Sequence, residues 1–490
     1  MLSGGCGDDT GLQCPEGQAE TSPECVAQSL DELVEQYESG QISRDEFRTA
    51  VGERGAPIPE GPLTGSIAMS MVLPASDTPY ELTGTWTVPK GAILVIEQGA
   101  SLHLAEGAVL DVKGRLYAVG SADSPIHFFA DDTVFYEKVE LQHGPNQLVW
   151  CEFDRGRLAL VDSHPFTTTT LVESARFDSW DEIAIDQIAS SGLTIQKSRF
   201  GYQTSEAQIA MSGEVIRSRN SGLAHIEDND FSIRRGYRDI IDLQDCDTEI
   251  WPRVIGNRFD GGEDDAIDLD TCSAFVIGNH IKGFRPVDLN VMTAGVNGGG
   301  VTGDRMSNPV IINNLIDGCY HGIGFKNGAT PLIINNTIIN NNIGVTLYQS
   351  NSDLPMPAGT LINNILLNNR SWTTNEVQEI VLNGKWWPNY NQIDEVQGTI
   401  DARYNITGTL ATPYTGDGNI VTDPMLDDSS GYPIPAANGS AIDTGLAELD
   451  GAWPMDEVYR YLEKDFLGTA RDRSGTSFPT IDRGAFEVVP

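Results

Sequence analysis

The sequence predicts an all-β solenoid, short strands stacked coil upon coil, preceded by a small helical hairpin. Two repeats and one contrast carry this. In KGAILVIEQGASLHLAEGAVLDVKG, Gly91, Gly99 and Gly107 recur every eight residues, with Leu94/Ile96, Leu102/Leu104 and Leu110/Val112 alternating between them. Helices cannot use that period, whereas short strands joined by tight glycine turns can. Farther on, the triplets ending at Asn257, Asn279, Asn314, Asn336 and Asn364 share one shape, an Ile, then Gly or Asn, then Asn. Their third positions are 22, 35, 22 and 28 residues apart, a 22-residue period interrupted by insertions of 13 and 6. Such a period marks a solenoid, with complete coils that place the asparagines on one edge. The contrast is the stretch 28–54, where the spacing turns helical.

The elements follow in chain order. Residues 1–27 read as an anchor and linker segment. Leu-Ser-Gly-Gly-Cys before Gly-Asp-Asp resembles the cut end of a bacterial lipoprotein signal, with Cys6 the residue to be lipidated, although Leu2 stands four residues before the cysteine rather than three. In an oxidising compartment Cys14 and Cys25 would then close a small disulfide loop. Over 28–54, Leu30, Leu33, Val34 and Tyr37 keep helical spacing, Gly40 ends the run, and Ser43 with Glu46 makes a capping box before Phe47 and Val51. The pair faintly resembles bacterial oligomerisation hairpins; a spacer between anchor and body is the plainer reading. Residues 55–79 read as linker, 80–400 as the solenoid, and 401–490 as a β-rich closing segment whose DRGAFE ending forms the last strand pair.

Here a resemblance becomes specific. TWTVPKGAILVIEQGASLHLAEGAVLDVKG and the VIGNRF, VIGNHIKGF and IINNTIINNNIGV repeats are similar to bacterial right-handed parallel β-helix proteins of the pectate-lyase-like superfold. The tail, GNIVTDPMLDDSSGYPIPAANGSAIDTGL with DFLGTARDRSGTSFPTIDRGAFE, resembles the closing segment of surface-displayed members. The resemblance spans about residues 80–490 and implies a single-stranded right-handed parallel β-helix. It leaves function open, since that fold carries lyases, hydrolases, epimerases, adhesins and stalks.

Charge narrows the partners. Seventy acidic against 31 basic residues give a formal charge of −39, which opposes binding to nucleic acid or anionic lipid and suits divalent cations. No apolar run is long enough to cross a bilayer. The acid concentrates in GGEDDAIDLDTC, residues 261–272. The strand IIDLQDCD aligns with AIDLDTCS at an offset of 26 residues, so Asp242 stacks on Asp268, Gln244 on Asp270 and Cys246 on Cys272, while Ile241, Leu243, Ile267 and Leu269 point inward. Carboxylates about 4.8 Å apart repel by roughly 0.9 kcal/mol in water, and several-fold more when shielded. Three outcomes stand: a bound cation, raised carboxylate pKa values serving acid–base catalysis, or exposure to solvent. For the first, Asp242, Asp264, Asp265, Asp268 and Asp270 are the ligands, and an all-oxygen set favours calcium. Cys246 and Cys272 would form a disulfide or a buried thiol stack, export favouring the bridge.

Chemistry beyond the acids is sparser. Polygalacturonase-type glycosidases of this fold pair aspartates with a Gly-His-Gly and a basic motif; Tyr320-His321-Gly322 and Lys326 match that pattern poorly. Lyases of the fold use Lys or Arg as base, with calcium neutralising the substrate carboxylate. Lys282 and Arg285, after the acidic run, and Arg305, at the far end of the insertion, are the candidates, with GVNGGGVTGD (295–304) as a lid. Trp386, Trp387 and Tyr390 offer faces for sugar rings. The seven histidines show no metal-ligand spacing, and there is no Gly-x-Ser-x-Gly or phosphate loop. The leading expectation is an exported, surface-tethered β-helix that binds or presents polysaccharide, with a calcium-supported acidic ladder and no organic cofactor. The alternative is a lyase or glycoside hydrolase of uronate-rich polymer, with Asp242, Asp268, Lys282, Arg285, His321 or Lys326 in its site.

Overall fold

The structure, a computed structural model, describes residues 29–53, 55–161, 169–188, 192–201, 213–219, 224–232, 239–246, 249–286, 298–351, 353–370, 372, 380–382, 399–408, 416–446, 449, 453–471 and 481–488. The chain divides into two compact units, Met1–Ser163 with Thr167–Ala175, and His164–Phe166 with Arg176–Pro490.

The second unit is a stack of coils, each giving three strands. One coil supplies Arg258–Gly262, Ile267–Asp270 and Phe275–Ile277, and the next supplies His280–Phe284, Gly299–Asp304 and Val310–Ile312. The third supplies Leu315–Asp317, His321–Lys326 and Leu332–Ile334. Corresponding strands pair in parallel, so three flat faces run up the stack. These are the first, second and third faces below. Parallel strands linked by crossovers wind right-handed, and the unit is a right-handed parallel β-helix. Side chains alternate across each strand. Ile241, Leu243, Ile267 and Leu269 therefore point inward and are fully buried. On the first face Phe177, Phe200, Phe231 and Phe259 stack ring on ring at 4.7–4.9 Å.

The Ile-x-Asn triplets do two jobs. Their middle residues, Gly256, Gly278, Asn313, Asn335 and Asn363, have φ between 51° and 65° and turn the corner between faces. Their third residues point inward as a continuous ladder. Asn229, Asn257, Asn279, Asn314, Asn336, Asn364 and Asn405 each donate a side-chain N–H to the Oδ1 of the next, at 2.9–3.1 Å, with Asn419 the last acceptor. The backbone N–H of each donates to the same oxygen. A buried polar row is tolerated because its groups are satisfied by one another. Asn257, Asn279 and Asn336 thus share one edge, as the 22-residue period requires.

The first unit is built alike. Tyr80–Val88 pairs along its two halves with Ser101–Leu104 and Val109–Val112, and Ile93–Glu97 pairs with Arg115–Val119. Strands begin earlier than the expected start at residue 80. Leu63–Ser66 and Met71–Leu73 lie within the stretch read as linker, and bury Leu63, Met71 and Leu73. Helices α1 (Leu30–Glu38) and α2 (Arg44–Glu53) form the hairpin. The Ser43–Glu46 box is present, and Ser29 with Glu32 makes a second. The pair is part of its unit's core rather than a free-standing spacer. Leu33, Val34, Phe47 and Val51 are buried against Ile93, Val95 and Tyr117 of their own unit.

The closing segment departs from expectation too. Thr399–Arg403, Ile406–Thr407 and Ile420–Val421 continue the coils, but among the described residues little regular β follows besides Leu426–Asp427 paired with Ile434–Pro435. A third helix, α3 (Met455–Leu462), lays Val458 and Leu462 on Phe275, Ile277, Val310, Ile312, Leu332 and Ile334 of the third face. DRGAFE is not a strand pair. It runs back as irregular chain, with Ala485 and Phe486 on Leu315 and Ile339 and the Ala485 N–H donating to Thr337 Oγ1 at 3.0 Å. The turn from Asp482 to Gly484 gives its carbonyls to Asn335 and Arg471 instead of to a partner strand. Among the described residues no helix is long and apolar enough to cross a membrane.

Candidate functional site

The acidic run occupies the outward side of the second face. Asp242 pairs with Asp268, which pairs with Thr302, and Gln244 pairs with Asp270, which pairs with Asp304. The next strand carries Gly324 opposite Thr302, and Lys326 one residue beyond the Gly303–Phe325 pair. The inward alternation of Ile and Leu forces this outward row, since a slip of one residue would put every carboxylate into the core. At the edge where strands enter the face, Asp239 and Asp265 join the group. Carboxylate oxygens of Asp239, Asp265 and Asp268 lie within 4.8 Å of one another.

Few neutralising contacts exist among the described residues. Asp265 accepts from the Gly299 N–H and from Thr302 Oγ1, both at 2.7 Å, and Thr302 Oγ1 is 3.1 Å from Asp268 Oδ1. Asp242 Oδ2 accepts from Gln244 Nε2 at 2.8 Å. Asp242 Oδ1 and Asp270 Oδ1 are buried with no hydrogen-bond partner. Burial, then the charges of Asp264, Asp268 and Asp265, raises the Asp239 pKa well above the usual carboxylate range. Burial and the charges of Asp268 and Glu214 push Asp242 up to about 8. Burial and Asp265 lift Asp268 to about 6, and burial and Asp268 lift Asp270 to about 7, in both cases against the pull of Lys326. Among the described residues this cluster is short of positive charge. Oxygen-only donors with buried, unmet lone pairs suit a hard divalent cation such as calcium better than a transition metal.

Lys326 stands beside this cluster, its Nζ 3.7 Å from Asp304 Oδ2. Burial alone would lower its pKa, but facing Tyr348, Asp268, Asp304 and Asp270 raise it well above normal, so the cation-free protein keeps it charged. Asp304 is fixed by Asn327 Nδ2 at 2.7 Å and by the Arg305 N–H at 2.6 Å. Arg305 itself is exposed, in a left-handed turn at the end of the strand, close enough to lower the Asp270 pKa.

The structure thus brings together Asp242, Asp264, Asp265, Asp268, Asp270, Arg305 and Lys326. It places Lys282 elsewhere, exposed on the first face in register with Asp260 and Asp317. Arg285 is exposed where the insertion leaves the first face, and the insertion returns at Gly298, which closely approaches the Arg285 backbone. His321 points into the core and is fully buried, which lowers its pKa to about 3 and keeps the ring neutral. Cys246 and Cys272 form a disulfide, Cα atoms 4.7 Å apart. Residues 287–297 of the insertion, Trp386, Trp387, Tyr390, Cys6, Cys14 and Cys25 lie outside the described residues. Asp239 was not among the expected ligands. The signal was available: the 26-residue offset that pairs Asp242 with Asp268 also pairs Asp239 with Asp265.

A family model described as "Right handed beta helix region" matches residues 214–384, the stretch that contains this site. Among curated proteins none matches the chain. Among solved structures the chain is similar to pectate lyase Pel9A, at 14% identity and a TM-score of 0.38, covering 82% of this chain and 88% of that one. It is also similar to the PL6 family polysaccharide lyase Pedsa3628 from Pseudopedobacter saltans, at 13% identity and a TM-score of 0.33, covering 74% and 96%. A third is the periplasmic alginate epimerase AlgG, at 12% identity and a TM-score of 0.31, covering 71% and 76%.

Proposed function

We propose that the protein is a cation-dependent lyase of uronate-rich polysaccharide, acting outside the cytoplasm. The observation that carries this is the convergence of Asp239, Asp265 and Asp268, which make no ion pair among the described residues, beside a lysine on the outward side of the same face. Asp239, Asp265 and Asp268, with Asp242 and Asp264 adjoining, would hold calcium. Bound there, the ion would draw charge from the substrate carboxylate and acidify the adjacent C–H. Lys326 is the base. Tyr348, then Asp268, Asp304 and Asp270, hold it protonated; calcium on Asp268 would remove part of that hold and move its pKa toward the range in which an amine accepts a proton. It then takes the proton α to the carboxylate, the electron pair forms the ring double bond, and the bond to the glycosidic oxygen breaks, that oxygen leaving with the bonding pair and taking a proton from solvent water. Arg305, exposed beside Asp270, steadies the carboxylate.

The raised Lys326 pKa favours a second reading, in which the lysine never loses its proton and the face only binds a polyanion. Incubation with polygalacturonate, alginate and glycosaminoglycans in calcium and in chelator, read by ultraviolet absorbance of unsaturated ends, separates the two. Calcium-dependent product that disappears in Lys326→Ala supports the lyase. Binding without product favours the polysaccharide-facing scaffold, and neither outcome on any polymer removes both.

A further inference from the structure

The outward row of the second face continues past the acids. One strand before Gln244, in register with it, stands Arg219 on Ile216–Arg219. Along that row the order is Arg219, Gln244, Asp270, Asp304 and, on the following strand, Lys326. With strands about 4.8 Å apart, Arg219 lies about 10 Å from Asp270 on one side and Lys326 about as far on the other. The neighbouring Arg217 is engaged, donating from Nε and Nη2 to both oxygens of Asp186 at 3.0 and 2.9 Å. Arg219 is different. It is half-buried, makes no ion pair among the described residues, and its Nε is buried with no hydrogen-bond partner. A guanidinium set in this row, with no ion pair among the described residues and a buried Nε that lacks an acceptor, suits an anion from outside, and its planar fork matches a carboxylate.

We infer that Arg219 grips a second carboxylate of the polymer, remote from the bond that is cleaved, so that the chain runs along the solenoid axis and is measured in length. This rests on the uronate-polymer reading above. A short oligomer seated at the acidic cluster would not reach Arg219; a long one would.

The test is isothermal titration calorimetry in calcium buffer with short and long oligogalacturonates and oligomers of alginate, with Lys326→Ala present throughout to prevent cleavage, for otherwise wild-type protein, Arg219→Gln and Arg219→Lys, each checked for an unchanged melting temperature. Arg219→Gln is expected to weaken the long oligomer about tenfold or more and to leave the short one unchanged. Arg219→Lys should restore part of the loss, because charge returns without the fork. Equal affinity of wild type and Arg219→Gln for the long oligomer overturns the inference while leaving the lyase reading intact. So does weakening that is the same for both lengths. Wild type that binds neither polymer overturns the reading and the inference together.

Discussion

Replacing Asp242 by Asn makes the electrostatics of the acidic face measurable. In the cation-free protein Asp242 titrates at about 8 because it is buried and faces Asp268, Glu214 and Asp270. In the unfolded chain it titrates near its ordinary 3.8. A carboxyl raised on folding contributes stability that is complete below the unfolded pKa and lost as pH rises through the folded one. Each pH unit between those limits removes about 1.4 kcal/mol. From pH 5 to pH 8 the wild type therefore loses about 4 kcal/mol through this one group. An Asn side chain keeps the size and can still accept from Gln244, but never ionises. Urea unfolding in chelator, at pH 5 and pH 9, should show the variant more stable at both, with the gap widening by about 4 kcal/mol at the higher pH. Saturating calcium should narrow the gap. A gap constant to within about 1 kcal/mol across that range would refute the raised pKa and with it the account of an undercompensated cluster.

Three further outcomes follow from the same structure. Calcium at a hundred times its dissociation constant should stabilise the wild type by about 2.7 kcal/mol, seen as a rise in melting temperature at matched ionic strength. Asp265→Asn should abolish that rise, and a wild type indifferent to calcium would remove the cation. Lys326→Ala should eliminate product on any polymer the wild type cleaves, whereas Lys282→Ala, on another face, should leave turnover unchanged; the reverse pattern would move the base. Asn314→Ala strips the acceptor from both the backbone and side-chain N–H of Asn279, and should cost about 3 kcal/mol or more in chemical denaturation. A loss under about 1 kcal/mol would mean that water or a neighbour takes the place of the missing oxygen.

Much of this arrangement was legible in the residues because a solenoid repeats its geometry. Once Ile267 and Leu269 are aligned on Ile241 and Leu243, the outward row of Asp242, Asp268, Gln244 and Asp270 follows from strand alternation alone. So does the meeting of Cys246 and Cys272. The base was harder to find. Lys282 lies close to the acids in sequence but a face away in space, because a corner separates His280–Phe284 from Gly299–Asp304. Lys326 is distant in sequence and near in space, because two further coils return the chain to the same face. Nor could local pattern place the tail. DRGAFE has alternation enough for a strand, but the carbonyls of Asp482 and Gly484 are taken by Asn335 and Arg471, whose positions only the finished stack defines.

That tail has a consequence in time. Arg471, its side chain wholly buried, donates to Asn313 Oδ1 across 158 residues of chain, and Asn335 donates to the carbonyl of Asp482 across 147. A stack of coils can zip forward from nearest neighbours as the polypeptide emerges, whereas these bonds close a very large loop and form only after the coils they grip exist. Interactions absent from the folding transition state leave the folding rate almost untouched and hold back unfolding. The returning tail is therefore a latch on lifetime. It governs how rarely the stack opens rather than how quickly it first formed.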